Sequence, residues 1–235
     1  MGADVDDSPS RAEGQGAVVR PRTPPPSQPR GAYPRRFSVD LATVLTADFD
    51  AARQIALMPR HYTTKGMFFP GLLRHLPPGE WHALRGTLLA PPRFDKYLPF
   101  ADYPIVDLVR VNTAAAARAY PGVALSEGLR RVCREDMTIF SATNPGRVLL
   151  ALVGDTANAL LKAPQVIESL LKGGSVAAER RADAVTFCVR GFPLWAEGPL
   201  LGTLEGVVVH FGDRPRLEVE LISEFDADIA VRWGA

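Results

Sequence analysis

The chain of 235 residues carries 27 Lys plus Arg against 26 Asp plus Glu, a formal charge of +1, so its bulk electrostatics ask for neither nucleic acid nor an anionic membrane. A hydrophobic content of 46% is enough to bury a core, and two cysteines, Cys133 and Cys188, are too few for a disulfide framework. No stretch reaches the roughly 20 apolar residues of a membrane span. Asp4, Asp6 and Asp7 stand where a secretory leader would carry positive charge, so the expected location is the cytoplasm.

Residues 1–34 hold Pro9, Pro21, Pro24, Pro25, Pro26, Pro29 and Pro34 with hardly a large apolar side chain. Such a segment cannot bury enough surface to offset its ordering entropy, which predicts a disordered tail, or a docking peptide around Pro24 to Pro29 for a proline-reading domain. Residues 35–235 read as a single α+β domain. Phe37, Val39 and Leu41 alternate with Ser38 and Asp40 as in a half-buried strand.

Helices are expected from Thr46 to Leu57, capped by Thr46 or Asp48, and from Thr64 to Leu76, capped by Thr63 or Thr64. Pro70 kinks the second unless it lies in its first turn. A Pro- and Gly-rich loop, Pro77 to Pro92, contains a short amphipathic insert around Trp81 to Leu84. An aromatic-dense stretch then leads to a helix starting at Pro104 and running to Tyr120, with Ile105, Leu108, Val109, Asn112 and Ala116 on one face and Pro121-Gly122 as its stop.

Ser126 caps the next predicted helix. Leu129, Val132, Cys133, Asp136 and Phe140 share one side of it, while Glu127, Arg131 and Glu135 follow at helical spacing on a side expected to face solvent. Two more apolar helices fit Gly146 to Val153 and Thr156 to Leu171, with a break before Pro164. After Gly173-Gly174 the hydrophobic period changes to two. Val176 to Arg180 and Val185 to Val189 form a hairpin, a helix follows from Glu197 to Phe211, and Leu217 to Leu221 and Ile229 to Trp233 complete an antiparallel β-β-α-β-β layer beneath the N-terminal helices.

Gly198, Gly202 and Gly206 recur every four residues in that last helix, each costing about 1 kcal/mol relative to alanine, so the stripe is expected to admit a close backbone neighbour or an interface. His61, His75, His82 and His210 show no zinc-site spacing, and neither a phosphate-binding glycine loop nor a G-x-S-x-G elbow occurs. No cofactor, metal or catalytic group is therefore expected. Phe68, Phe69, Tyr97, Phe100 and Tyr103 could line an apolar ligand site with phenol handles, or simply plug the core.

The phrases Thr64-Lys65-Gly66-Met67-Phe68-Phe69, Phe100-Ala101-Asp102-Tyr103-Pro104, Glu127-Gly128-Leu129-Arg130-Arg131, Leu204-Glu205-Gly206 and Asp228-Ile229-Ala230-Val231-Arg232-Trp233 resemble, in this order, a myxobacterial family of unknown function with many paralogues. Its members look like stand-alone domains or attachments to signalling proteins, which implies a regulatory role. More distantly, the arrangement is similar to the fold group of haem-dependent nitric-oxide/oxygen sensors, 4-vinyl reductases and TRAPP subunits. This chain departs from that group in lacking a Tyr-x-Ser-x-Arg motif and cysteines between Arg214 and Ala235.

The reading that follows is a non-catalytic regulatory module for a small apolar ligand or a protein partner. The alternatives are a structural homodimerising adaptor without a cavity and a small hydrolase-like or ligand-modifying enzyme.

Overall fold

A computed structural model describes residues 33–46, 50–142, 144–193 and 196–234, without the side chains of Asp95, Asn144, Pro145 and Leu149. Residues 1–32 of the expected disordered tail and the cap at Asp48 lie outside the described residues, whereas Tyr33, at the end of that tail, packs partly buried against the core. The first strand forms as its alternation predicts: β1 (Arg35–Asp40) ends on a buried Val39 and turns at Asp40, whose carboxylate accepts the Ala42 and Thr43 N–H groups. Helix α1 (Ala51–Leu57) starts later than expected because Asp50 supplies the cap, its side chain accepting the Arg53 N–H at 2.9 Å.

The segment expected as a helix from Thr64 begins instead as a strand. The β-branched pair Thr63-Thr64 suits a pleated backbone, and β2 (Thr63–Lys65) pairs antiparallel with β3 (Asp102–Pro104), placing Thr64 opposite Tyr103. One 3₁₀ turn then leads into α2 (Phe69–Leu73), with Pro70 in the first turn, where its missing N–H costs nothing. The amphipathic insert is α3 (Pro78–Arg85). Pro104 caps α4 (Ile105–Ala119) rather than opening it, and the five residues predicted for one face are all buried.

Helix α5 (Leu125–Ala142) corrects the solvated-face expectation at Glu127. This residue is 2% exposed and buried beside Arg130 at 0%, because α8 covers α5 on one side and α2 and α4 pack on others, whereas the Arg131 and Glu135 side chains keep 31% and 44% exposure. Ser126 lies inside the first turn rather than capping it. Helix α6 (Asn144–Val153) precedes α7 (Thr156–Leu170), which Asp155 caps through the Asn158 N–H at 2.7 Å. Pro164 does not break α7: packing of the helix against the sheet and α8 outweighs the lost hydrogen bond. The chain then adds β4 (Leu171–Lys172) to β2, completing a small sheet in the order β3-β2-β4.

The hairpin β5 (Ser175–Arg181) and β6 (Ala184–Arg190), then α8 (Leu201–His210), β7 (Arg214–Leu221) and β8 (Ala227–Gly234), follow the predicted order. A π-helical turn over Ala196–Leu200, containing Pro199, precedes α8 where a single helix was expected. The five-stranded antiparallel sheet runs β1-β7-β8-β6-β5, so the first strand joins the C-terminal four by pairing with β7, Val39 opposite Leu217. Val185, Phe187, Leu217, Ile229 and Val231 are wholly buried on its inner face, beneath α7 and α8. The outer face carries Arg36, Glu218, Glu220, Asp228 and Arg232.

The glycine stripe, Gly198 in the π-helical turn and Gly202 and Gly206 in α8, faces α5. A Cβ on Gly202 would overlap the Arg130 carbonyl oxygen, one on Gly206 would come within 2.5 Å of Met137 Cβ, and one on Gly198 within 3.0 Å of the Ser126 carbonyl oxygen. The two helices therefore meet backbone to backbone, which recovers in packing what the glycines cost in helix propensity.

Candidate functional site

Four of the five aromatic residues singled out in the sequence gather where α2, the β2–β3 pair and the loop before β3 meet. The loop is held by the Gly66 and Met67 N–H groups, which donate to the Ala101 and Pro99 carbonyls at 3.0 Å each. Position 66 must be glycine here, since a Cβ would come within 2.7 Å of the Tyr103 ring. Phe69, fully buried, stacks on Tyr97 with ring centroids 3.8 Å apart and 8° between planes. Tyr103 meets Tyr97 edge-on at 4.8 Å and Phe69 at 5.6 Å. Phe68 is half-buried against the same core, whereas Phe100 is 74% exposed and does not join. The chain turns outward at Phe100, so its place in an aromatic run says nothing of its direction.

The two phenols are treated differently. The Tyr103 hydroxyl accepts the Leu98 N–H at 3.0 Å, but the Tyr97 hydroxyl is buried without a hydrogen-bond partner. Burial, reinforced by the nearby charge of Asp107, pushes the Tyr97 hydroxyl above the ordinary tyrosine range, so it stays a neutral donor. Asp107, fully buried at the start of α4, accepts the Leu89 and Ala90 N–H groups at 2.9 and 2.8 Å. Trp81 of α3 approaches Tyr97 at 6.3 Å. Neither Asp107 nor Trp81 was singled out in the sequence. Asp107 carries a legible signal, an acid in the first turn of a helix.

A second buried constellation joins α5, α8 and the turn after β1. Arg130, 0% exposed, donates to both oxygens of Glu205 at 3.0 Å through Nε, to Glu127 at 3.1 Å, and to the carbonyls of Thr43, at 2.6 Å, and Asp40. Glu127 also accepts the Leu45 N–H at 3.0 Å and Arg131 at 2.6 Å, and Arg134 reaches Glu205 at 3.3 Å. Burial works against the charge on Arg130, but the bonds and charges of Glu205 and Glu127 more than offset it and hold the guanidinium protonated. This network links strand, turn and two helices. Its residues sit in two of the recognised phrases, yet spacing alone could not bring position 130 to position 205.

Among the described residues no three His, Cys, Asp or Glu side chains come together as metal ligands, and no helix is long and apolar enough to cross a membrane. Comparison with curated proteins yields no relative by sequence. Comparison with solved structures finds H-NOX domains. One from K. algicida, Fe(II) unliganded, has 14% identity and a TM-score of 0.54, over 73% of this chain and 97% of that one. One from S. oneidensis in the Fe(II)NO state has 11% identity and 0.57, over 73% and 99%. An oxygen-binding H-NOX domain related to soluble guanylate cyclases has 17% identity and 0.53, over 72% and 93%. The likeness establishes a shared fold.

That fold group is described with heme, which needs an axial ligand such as imidazole, thiolate or tyrosinate. His61, His82 and His210 are exposed, and half-buried His75 is bonded by Arg74 at 3.2 Å. Burial raises the Cys133 thiol and the Tyr97 phenol well above their ordinary ranges, which disfavours the anionic forms, and Cys188 is exposed. No histidine is fully buried among the described residues, so none stands in the core as a ready axial ligand for a haem. Residues 57–234 match one family model, and the chain belongs to that family, described as "Protein of unknown function (DUF2378)".

Proposed function

We propose that this chain is a non-catalytic regulatory binding module of the cytoplasm, with residues 35–235 acting as one unit. It takes a small apolar ligand, or the apolar side chains of a protein partner, against Phe69, Tyr97 and Tyr103, with Phe68 at the rim. The observation that carries this reading is the Tyr97 hydroxyl, buried and without a partner. An unsatisfied buried donor costs about 1–3 kcal/mol, which an incoming acceptor would recover. Apolar rings around one polar handle are the composition of a small-molecule site.

The likeness to domains described as binding oxygen or carrying Fe(II)NO supports a sensing role by analogy of fold, without their iron chemistry. No reaction is assigned, since Asp107 beside the rings is already committed to two backbone N–H groups. Native mass spectrometry of protein purified from its own host, wild type beside Tyr97→Phe, tests the reading. A small molecule retained by the wild type and depleted in the variant is the expected result. A wild type that retains no small molecule, or one retained equally by Tyr97→Phe, overturns it.

A second reading, a homodimerising adaptor, is favoured by Val148 and Leu152, one turn apart on α6 and 62% and 73% exposed. The same spectra count the subunits.

A further inference from the structure

Tyr97 points into the core, and on either side of it the chain makes a tight turn. The Lys96 N–H donates to the Arg93 carbonyl and the Ala101 N–H to the Leu98 carbonyl, both at 3.1 Å, which puts Phe94 within the first turn and Phe100 within the second. Phe94 is 91% exposed, Phe100 74% and Leu98 65%. Phe94 also takes φ 51° and ψ 34°, a left-handed conformation that is strained for a bulky side chain, and so is strained while its ring faces water. The second turn is braced, since Pro99, Ala101 and Leu98 are all bonded to β2, the turn after it or Tyr103. These apolar tips therefore stand on a fixed frame.

From this frame we infer that the loop of residues 86–101 docks on an anionic lipid surface, a property independent of the ligand reading above. Rings exposed at the tips of two successive turns suit a medium that deforms around them, whereas a partner helix or peptide needs a groove to lie in. The charge agrees. The ionic residues of the loop are Arg93, Asp95 and Lys96, net positive, and Arg93 and Lys96 form no ion pair among the described residues. Cations beside exposed Phe and Leu are the composition of interfacial anchors, the cations meeting lipid phosphates while the rings reach the acyl boundary. The near-neutral total charge of the chain does not oppose this, because the attraction acts within about a Debye length of the loop.

The test is co-sedimentation of the full chain with phosphatidylcholine vesicles, with and without phosphatidylglycerol. Binding is expected with phosphatidylglycerol and should weaken by about tenfold or more in the double variant Phe94→Asn, Phe100→Ser, in which asparagine keeps the left-handed turn and melting by circular dichroism confirms the fold. Arg93→Gln and Lys96→Gln should each weaken it on the order of fivefold, an effect that added salt reproduces in the parent. Three outcomes overturn the inference: no sedimentation with either vesicle, binding that survives the double phenylalanine variant, or self-association abolished by that variant, which would make a second copy the occupant.

Discussion

Asp136 of α5 lies with its carboxylate against α2, where a Cβ on Gly71 would come within 2.6 Å of its Oδ1, and that oxygen is buried without a hydrogen-bond partner. Burial raises the carboxyl from 3.8 to about 7. The Arg74 guanidinium pulls it down and Glu135 adds to the rise. The unfolded chain releases this proton near the ordinary value, while the folded protein holds it to about pH 7. Stability associated with the retained proton is therefore full below pH 4, drains as pH rises from about 4 to about 7, and is flat above. About three pH units at roughly 1.36 kcal/mol each come to about 4 kcal/mol. Asp136→Asn removes this titration at nearly constant shape. Its unfolding free energy relative to the parent should improve by about 4 kcal/mol between pH 4 and pH 8, because the other titrating groups are common to both proteins. Urea unfolding followed by circular dichroism at a series of pH values measures the difference. Parallel pH profiles for the two proteins would refute the reasoning.

The buried ion network predicts that Glu205→Ala, which leaves the fully buried Arg130 with Glu127 as its one remaining carboxylate, costs about 3–5 kcal/mol in urea unfolding; a loss under about 1 kcal/mol would mean that water or a rearranged carboxylate replaces Glu205. Gly202→Ala forces a methyl group onto the Arg130 carbonyl oxygen and should cost more than about 2 kcal/mol, against a small gain if the helices were free to part, as a thermal melt will show. In ligand-free protein Tyr97→Phe should raise stability by about 1 kcal/mol, since it deletes a hydroxyl with no partner, and unchanged or lower stability would place a hydrogen-bond acceptor at that oxygen. Asp155→Ala removes the cap of α7 and should cost about 1 kcal/mol by the same measurement.

Much of the architecture was legible because it rests on local rhythm. The alternation of Leu217, Val219 and Leu221, and of Ile229 and Val231, is reproduced residue by residue in the buried face of β7 and β8. The α4 face from Ile105 to Ala116 likewise follows from helical spacing alone. At Thr63-Thr64 local reading failed. These threonines resemble a helix cap next to an apolar run, and only the remote partners Tyr103 and Leu171 make them a strand. In the candidate site, Phe69, Tyr97 and Tyr103 were legible as aromatic residues of a size to share a core. Phe94 and Phe100 have the same chemistry and point the other way, because the turns that aim them depend on bonds to the Arg93, Leu98, Pro99 and Ala101 backbone rather than on side-chain type.

Glu127 and Arg130 mark the boundary between the two kinds of information. On the helix they are ordinary charged neighbours at a spacing that usually faces water. The period of the chain is enough to specify that a helical layer and an antiparallel sheet follow one another, and that α8 carries a glycine stripe. It cannot say that the stripe brings Glu205 and the β1 turn against Arg130, since burial of a charge depends on what arrives from 75 residues away. Tertiary packing decided which charges are inside, which phenol is left without a partner and which rings face out, because each of these is a property of the neighbours and not of the residue.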